Sequence, residues 1–174
     1  MSIPVINPTT GESLGVSPEL DAAARDAALD RAQTTYADWK NRSFAQRAQV
    51  LRNIAQRLRD DVESLAPLMT LEMGKPIKEA RAEVMKAALC ADHYAEHGEA
   101  YLASDTLASD ASLSYVQYLP LGVVLGILPW NAPFWLAFRF CAPALMAGNT
   151  CLMKHDPHVP ACAEAIARIF EQAG

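Results

Sequence analysis

The sequence has no apolar run long enough to cross a bilayer, no basic excess, no C-x-x-C pair and no G-x-G-x-x-G fingerprint. Each absence excludes something. A membrane span needs ~18–20 consecutive apolar residues, whereas the longest candidate, residues 119–128, is shorter and is broken by Pro120, Gly122 and Gly126. A formal charge of -5 and a pI near 5.3 leave no basic patch, which argues against nucleic acid as a partner. Met1-Ser2-Ile3-Pro4 has no basic stretch ahead of an apolar block, so no secretory signal is visible. Without one, the four scattered cysteines (Cys90, Cys141, Cys151, Cys162) read as reduced, mostly buried thiols, and the expected compartment is the cytoplasm. Repeats and low-complexity tracts are missing too.

What is present is an ordinary globular mix: 174 residues, 51% apolar and 20% charged. That suits one domain, or one domain and part of a second. Residues 7–15, with Asn7-Pro8-Thr9-Thr10-Gly11, read as a turn-rich lead-in. Helical stripes follow. Leu20, Ala24, Ala28, Ala32, Tyr36 and Trp39 predict a helix over 18–39, and Ser43 with Gln46 forms a capping box ahead of Phe44, Ala48, Leu51, Ile54, Leu58, Val62 and Leu65. Arg47, Arg52, Arg57 and Asp61 fall on the opposite face. Pro67 suits the first turn of a short helix that Gly74 can end, and a longer helix is expected over 76–102. These amphipathic helices read as scaffold.

After Ser104-Asp105 the period changes. Leu113, Tyr115, Gln117 and Leu119 alternate with Ser114, Val116 and Tyr118, a strand pattern. Residues 122–128 form a continuous apolar run, as expected of a strand buried on both faces of a parallel sheet. A helix over 134–147 closes at Gly148-Asn149, a second short strand spans 150–153, and another helix spans 160–173. Strand, helix, strand, helix is the start of a doubly wound α/β domain. Two parallel strands are too few for a sheet with both faces covered, so a truncated chain or a missing partner is expected.

In such sheets ligands bind beyond the carboxyl ends of the strands. Two polar groups fall there: Pro129-Trp130-Asn131-Ala132-Pro133 and Lys154-His155-Asp156-Pro157. Asn131, on a loop between two prolines, offers an amide donor suited to an oxyanion, or merely an Asx-turn that shapes the loop. Lys154 suits a ribose hydroxyl or a phosphate, or simply reaches solvent. The residues alone give a ligand-binding crevice and no reaction. His93-Tyr94-Ala95-Glu96-His97 matches H-x-x-E-H, but the histidines flank the apolar stripe among Asp92, Glu96 and Glu99. A solvated face is the better reading, and no metal is expected.

Several segments together resemble one family. Leu121-Gly122-Val123-Val124-Leu125-Gly126-Ile127-Leu128-Pro129-Trp130-Asn131-Ala132-Pro133 is similar to the first cofactor-domain strand and Pro-Trp-Asn-x-Pro turn of the aldehyde dehydrogenase superfamily. Ala142-Pro143-Ala144-Leu145-Met146-Ala147-Gly148-Asn149-Thr150, Ile6-Asn7-Pro8-Thr9-Thr10-Gly11-Glu12 and Thr70-Leu71-Glu72-Met73-Gly74-Lys75-Pro76 resemble it too, in order and across the whole chain. The resemblance implies thiolate attack on an aldehyde, hydride transfer to NAD or NADP, and hydrolysis of the thioester. It implies that Asn131 stabilises the oxyanion, that Trp130 contributes backbone contacts near the nicotinamide, and that Lys154 bonds the adenosine ribose. The whole implied cofactor-binding set is Leu128, Pro129, Trp130, Asn131, Lys154, His155, Asp156 and Pro157. The nucleophilic Cys and the base Glu of the family match no position in this sequence; Cys141 and Cys151 sit at core-like positions.

The branch narrows further. Met153-Lys154-His155 with Val159-Pro160-Ala161-Cys162-Ala163 resembles bacterial succinate-semialdehyde dehydrogenases, and Arg139 matches an arginine that holds the substrate carboxylate there. Where the superfamily often has a ribose-chelating Glu this chain has Pro157, which removes one source of repulsion against NADP. The resemblance divides the chain into an N-terminal helical region (1–111), a strand of an oligomerisation arm (112–120) and the incomplete first part of a Rossmann-like NAD(P)-binding domain (121–174). It implies a homo-oligomer, dimer or tetramer, when complete, acting on a small aldehyde. The competing expectation is a non-catalytic paralogue or remnant that binds nucleotide or serves as an interaction module.

Overall fold

The computed structural model describes residues 2–174; Met1, the first residue of the stretch read for a secretory signal, lies outside them. The lead-in is a hairpin. Strand β1 (Ser2–Ile6) pairs antiparallel with β2 (Ser13–Pro18), and Asn7 builds the turn by accepting the Thr9 N–H on Oδ1 at 2.9 Å. Composition identifies that turn but not its flanking strands, because Pro4 and Pro18 interrupt the pattern and are tolerated only in an edge pair.

Capping residues set the helix boundaries. Helix α1 (Ala22–Trp39) starts where Asp21 accepts from Ala24 N at 2.7 Å, later than the apolar stripe suggests. Helix α2 (Phe44–Asp60) carries the expected reciprocal box of Ser43 and Gln46. Helix α3 (Val62–Met73) corrects the sequence reading: it begins after Asp61, with Pro67 inside it rather than in its first turn. Asp61 steps out of helical geometry (φ -97°, ψ 7°), so Val62 and Leu65, read as the end of the previous stripe, belong to a new helix. Gly74 then takes the left-handed conformation (φ 73°) and terminates α3. Helix α4 (Ile77–Tyr101) matches its expected extent closely.

The alternating stretch 113–119 is not one strand. Only β4 (Tyr115–Val116) pairs, with β3 (Asp105–Thr106), and Leu113, Tyr118 and Leu119 are exposed. A two-residue partner cannot sustain a longer ladder. The βαβα unit follows as expected: β5 (Val123–Ile127), α5 (Pro133–Met146), β6 (Thr150–Lys154) and α6 (Pro160–Ala173), with β5 and β6 parallel and Val123 opposite Thr150. Burial on both faces does not hold, however. Leu125 and Ile127 are 61% and 72% exposed, because α1 reaches their face only at the Thr150 end, where buried Thr150 donates to Ala32 O at 3.0 Å, while α5 covers the opposite face. On that covered side Gly126 admits α5: a Cβ there would lie 2.6 Å from the Phe140 ring.

A single apolar cluster joins the two halves. Ala80, Val84, Ala87, Ala88 and Ala91 of α4 pack with Leu51, Ile54 and Leu58 of α2 and with Phe134, Ala137 and Phe138 of α5, while Phe138 stacks on Phe170 of α6 at 5.0 Å. Small side chains on α4 let its neighbours approach closely. Arg47 also differs from the sequence reading. It is buried rather than solvated, and its Nε donates to Met146 O at 3.0 Å at the end of α5. Burial lowers its pKa from the ordinary value. Gly148 alone adopts the left-handed turn, with φ 89°. Asn149 instead accepts the Leu121 and Gly122 amides at 2.7 and 3.1 Å, fixing the entry to β5. No helix among the described residues is long and apolar enough to cross a membrane.

Candidate active site

Parallel register delivers both polar groups to one edge. Ile127 faces Lys154 across the sheet and Leu128 N donates to Lys154 O at 3.1 Å. The segments Leu128-Pro129-Trp130-Asn131 and Lys154-His155-Asp156-Pro157 therefore leave the sheet side by side. Between them is a cleft lined by Leu128, Pro129, Met153, His155, Asp156 and Val159. Trp130 is partly exposed, with its ring 6.4 Å from that of His158. Pro157 lies in the turn after β6.

The polar groups of this edge are distinct in state. Lys154 is exposed, and its ammonium has no hydrogen bond or ion pair among the described residues. His155 is half-buried; burial, and then the Lys154 charge, hold its pKa below the ordinary value, which favours the neutral ring. Desolvation pushes the Asp156 carboxyl up, but the amide and ring of His158, at 3.0 and 2.6 Å, outweigh it and leave Asp156 below its ordinary value. Asp156 is thus a fixed anion beside an unpaired cation.

Asn131 is exposed, and its carboxamide has no partner among the described residues. Its backbone is not free. Lys75 Nζ donates to Asn131 O at 2.8 Å and is ion-paired with Glu83. Glu83 in turn accepts the Phe134 and Trp135 amides at 3.0 and 3.1 Å, capping the start of α5. Glu72 does the same for α6, accepting from Ala161 N and Cys162 N at 2.7 and 3.0 Å. Both carboxylates are buried, at 6% and 8% exposure for Glu72 and Glu83. Sequence reasoning missed these three residues. The available signal was a charge on a buried stripe: Glu83 stands three residues after Ala80 and four before Ala87, and Glu72 three after Met69.

These caps limit what the crevice can hold. A helix N-terminus is a ready anion site, but the starts of α5 and α6 are already taken by carboxylates of this chain. A phosphate at this edge would rely on Lys154. The cleft itself is small, about 10 Å³, so this edge offers an apolar wall with a lysine beside it rather than a formed cavity.

Arg139 is not part of this cleft. It lies further along α5 and, with Trp135, Lys86, Leu89, Cys90 and His93, lines a separate cavity of about 300 Å³. Like Lys154, it is exposed, and its side chain has no hydrogen bond or ion pair among the described residues. Lys86 Nζ sits over the Trp135 ring at 3.9 Å, so the cavity wall is cationic. In the H-x-x-E-H segment, His93 lies 3.0 Å from the Tyr101 hydroxyl and faces His97 at 4.8 Å between centroids.

Cys90, Cys141 and Cys162 are poor nucleophiles. Burial pushes the thiol of Cys90 up despite Arg139, and pushes that of Cys162 up further, with Glu72 adding to it. Cys141 is raised first by its contact with Cys151 and then by burial. A thiolate, the reactive form, is disfavoured at all three.

Against known proteins, the Aldehyde dehydrogenase family profile matches residues 1–174. The chain is 49% identical over 174 residues to a probable succinate-semialdehyde dehydrogenase (NADP+) of Synechocystis sp., covering 100% of this chain and 38% of that protein. It is 44% identical over 169 residues to the succinate semialdehyde dehydrogenase (NAD(P)+) Sad of Escherichia coli, covering 97% of this chain and 37% of that one. Among solved structures, the succinic semialdehyde dehydrogenase from Streptococcus pyogenes in complex with NADP+ superposes with a TM-score of 0.94 at 31% identity, covering 99% of this chain and 38% of that one. The chain thus spans under two fifths of the length of these relatives. A family match along the whole length decides the matter: the chain belongs to the aldehyde dehydrogenase family.

Proposed function

We propose that these residues supply the oxyanion donor and half of the nicotinamide-cofactor site of an NAD(P)+-dependent aldehyde dehydrogenase acting on succinate semialdehyde. The observation that carries this is the state of Asn131: a free carboxamide on a loop whose backbone is gripped, beside the exposed end of the strand bearing Lys154. A donor held in place before reaction stabilises a developing oxyanion without reorganising, worth ~2.7–4 kcal/mol. Asn131 serves the tetrahedral stages in which the aldehyde oxygen, and later the thioester oxygen, carries charge. When bound, the cofactor accepts the hydride.

The remaining assignments follow the same reading. Lys154 bonds the adenosine ribose; Leu128, Pro129 and Trp130 contribute the other wall; His155, Asp156 and Pro157 complete the edge. With Pro157 in place of a carboxylate, NADP+ meets no repulsion at that position. Arg139, unpaired on a cationic cavity wall, holds the substrate carboxylate. Residues 2–111 hold the four helices whose Glu72 and Glu83 cap the next two, 112–120 belong to an assembly arm in which only Tyr115–Val116 is strand, and 121–174 form the first part of the cofactor domain. The exposed Leu113, Tyr115 and Leu119 suit a surface that a second copy covers, giving a dimer or tetramer in the cytoplasm.

Because no cysteine here matches the nucleophile and three thiols are pushed up, the 174 residues alone are expected not to turn over. Arg139→Leu in the full-length enzyme tests the substrate assignment. The KM for succinate semialdehyde should rise at least tenfold while that for an uncharged aldehyde stays within about twofold, as loss of a charge-assisted carboxylate contact implies. Equal effects on both aldehydes would refute the carboxylate contact.

A further inference from the structure

We infer that Lys75 and Glu83 are positioning residues for the oxyanion donor, acting through the backbone of Asn131. The inference rests on the reading of Asn131 given above. Three features meet at one loop. Leu128 N bonds Lys154 O at 3.1 Å and fixes the loop where it leaves β5. Glu83 accepts two amides of the first turn of α5 at 3.0 and 3.1 Å and fixes the loop where it enters the helix. Between these anchors, Lys75 Nζ reaches Asn131 O at 2.8 Å.

The pair is built for holding rather than for binding solvent. The side chains of Lys75 and Glu83 are only 13% and 7% exposed, so their attraction is little screened. Lys75 follows Gly74, whose left-handed turn ends α3, and Lys75 N closes that turn on Met69 O at 3.4 Å. The lysine therefore starts from a rigid backbone. Glu83 accepts two amides and one ammonium at once, which uses both oxygens. With the Asn131 carbonyl held and the loop anchored at both ends, the swing of its Cα is restricted, and the carboxamide is left to meet a ligand.

An oxyanion donor works over a narrow range, ~2.7–3.1 Å from the charge it stabilises. A displacement of ~1 Å can cost about a hundredfold in rate. Loosening the carbonyl grip should therefore lower turnover without touching cofactor or substrate contacts.

The test is a double-mutant cycle in the full-length enzyme, with kcat, substrate KM and the NADP+ dissociation constant measured for each variant. Lys75→Met should lower kcat about tenfold or more and leave the NADP+ dissociation constant within about twofold. In the Asn131→Ala background the same substitution should change kcat by less than about twofold, because residues that act through one another are not additive. Lys75→Arg, which can still donate to the carbonyl, should recover most of the loss. If Lys75→Met does not fold, Glu83→Gln carries the same cycle, since it keeps an acceptor for the helix amides while removing the charge that holds Lys75. Equal losses in both backgrounds, or no loss in the native background, would overturn the inference while leaving Asn131 as the donor. Full kcat in Asn131→Ala itself would remove the donor assignment, and this inference with it.

Discussion

Glu72 offers the sharpest stability test, because among the described residues its buried carboxylate is the side chain that caps the α6 backbone. Its two oxygens accept the Ala161 and Cys162 amides at 2.7 and 3.0 Å, and Val159, at the cap position itself, provides no side-chain bond. Removing a side-chain cap costs ~0.5–2 kcal/mol, and leaving a buried amide without an acceptor costs ~1–3 kcal/mol. Glu72 is 6% exposed, so water does not freely replace it. Offsetting these, the charge no longer has to be held away from water. The expected net loss for Glu72→Ala is about 2–3 kcal/mol, and for Glu72→Gln, which keeps one acceptor, about 1 kcal/mol. With a urea slope of ~2 kcal/mol/M, the unfolding midpoint should fall by about 1–1.5 M for Ala and about 0.5 M for Gln. Amide hydrogen exchange should localise the loss to the first turn of α6. A midpoint shift under about 0.2 M for Glu72→Ala, or equal shifts for Ala and Gln, would refute the capping account.

Three further outcomes follow. In native protein near pH 8, Cys141 and Cys162 should resist iodoacetamide while all four cysteines label in urea; rapid native alkylation of Cys162 would contradict its burial and raised pKa. His155 sits below its ordinary pKa of 6.5, so the unfolded chain binds the proton first as pH falls. Stability should therefore be flat above neutrality and decline as pH drops through the ordinary value toward the lower folded one. His155→Gln should remove that part of the decline between pH 7.5 and 5.5 in urea midpoints, and an unaltered profile would refute it. In the full-length enzyme, Pro157→Glu should raise the KM for NADP+ at least tenfold with a smaller change for NAD+; equal changes would remove the charge-repulsion argument.

Much of this architecture was legible in the sequence, for reasons that can be named. Ser43 with Gln46, Gly74 and Gly148 are local signals whose geometry follows from a few neighbouring atoms, and the structure places each where expected. The βαβα unit was legible because an apolar run, a helical stripe and a second run have different periods. Long-range dependence defeated the rest. The strand over 113–119 requires a neighbour, and Asp105–Thr106 is too short to be one. Burial on both faces of β5 requires a complete second layer, and among the described residues α1 supplies it only at the Thr150 end. Arg47 looked solvated because periodicity assigns a face but not what packs on it, here the carbonyl end of α5. Lys75, Glu72 and Glu83 were invisible as functional supports for the same reason: each acts on backbone more than 50 residues away. The edge formed by residues 128–131 and 154–157, by contrast, followed from the topology of parallel strands alone.

The central claim is that Asn131 is a pre-positioned oxyanion donor, and the kinetics of Asn131→Ala in the full-length enzyme test it most directly. With succinate semialdehyde, kcat should fall ~10²–10³-fold, far more than any change in the NADP+ dissociation constant. A kcat within about threefold of the native enzyme, or an equal loss in cofactor affinity, would contradict the account.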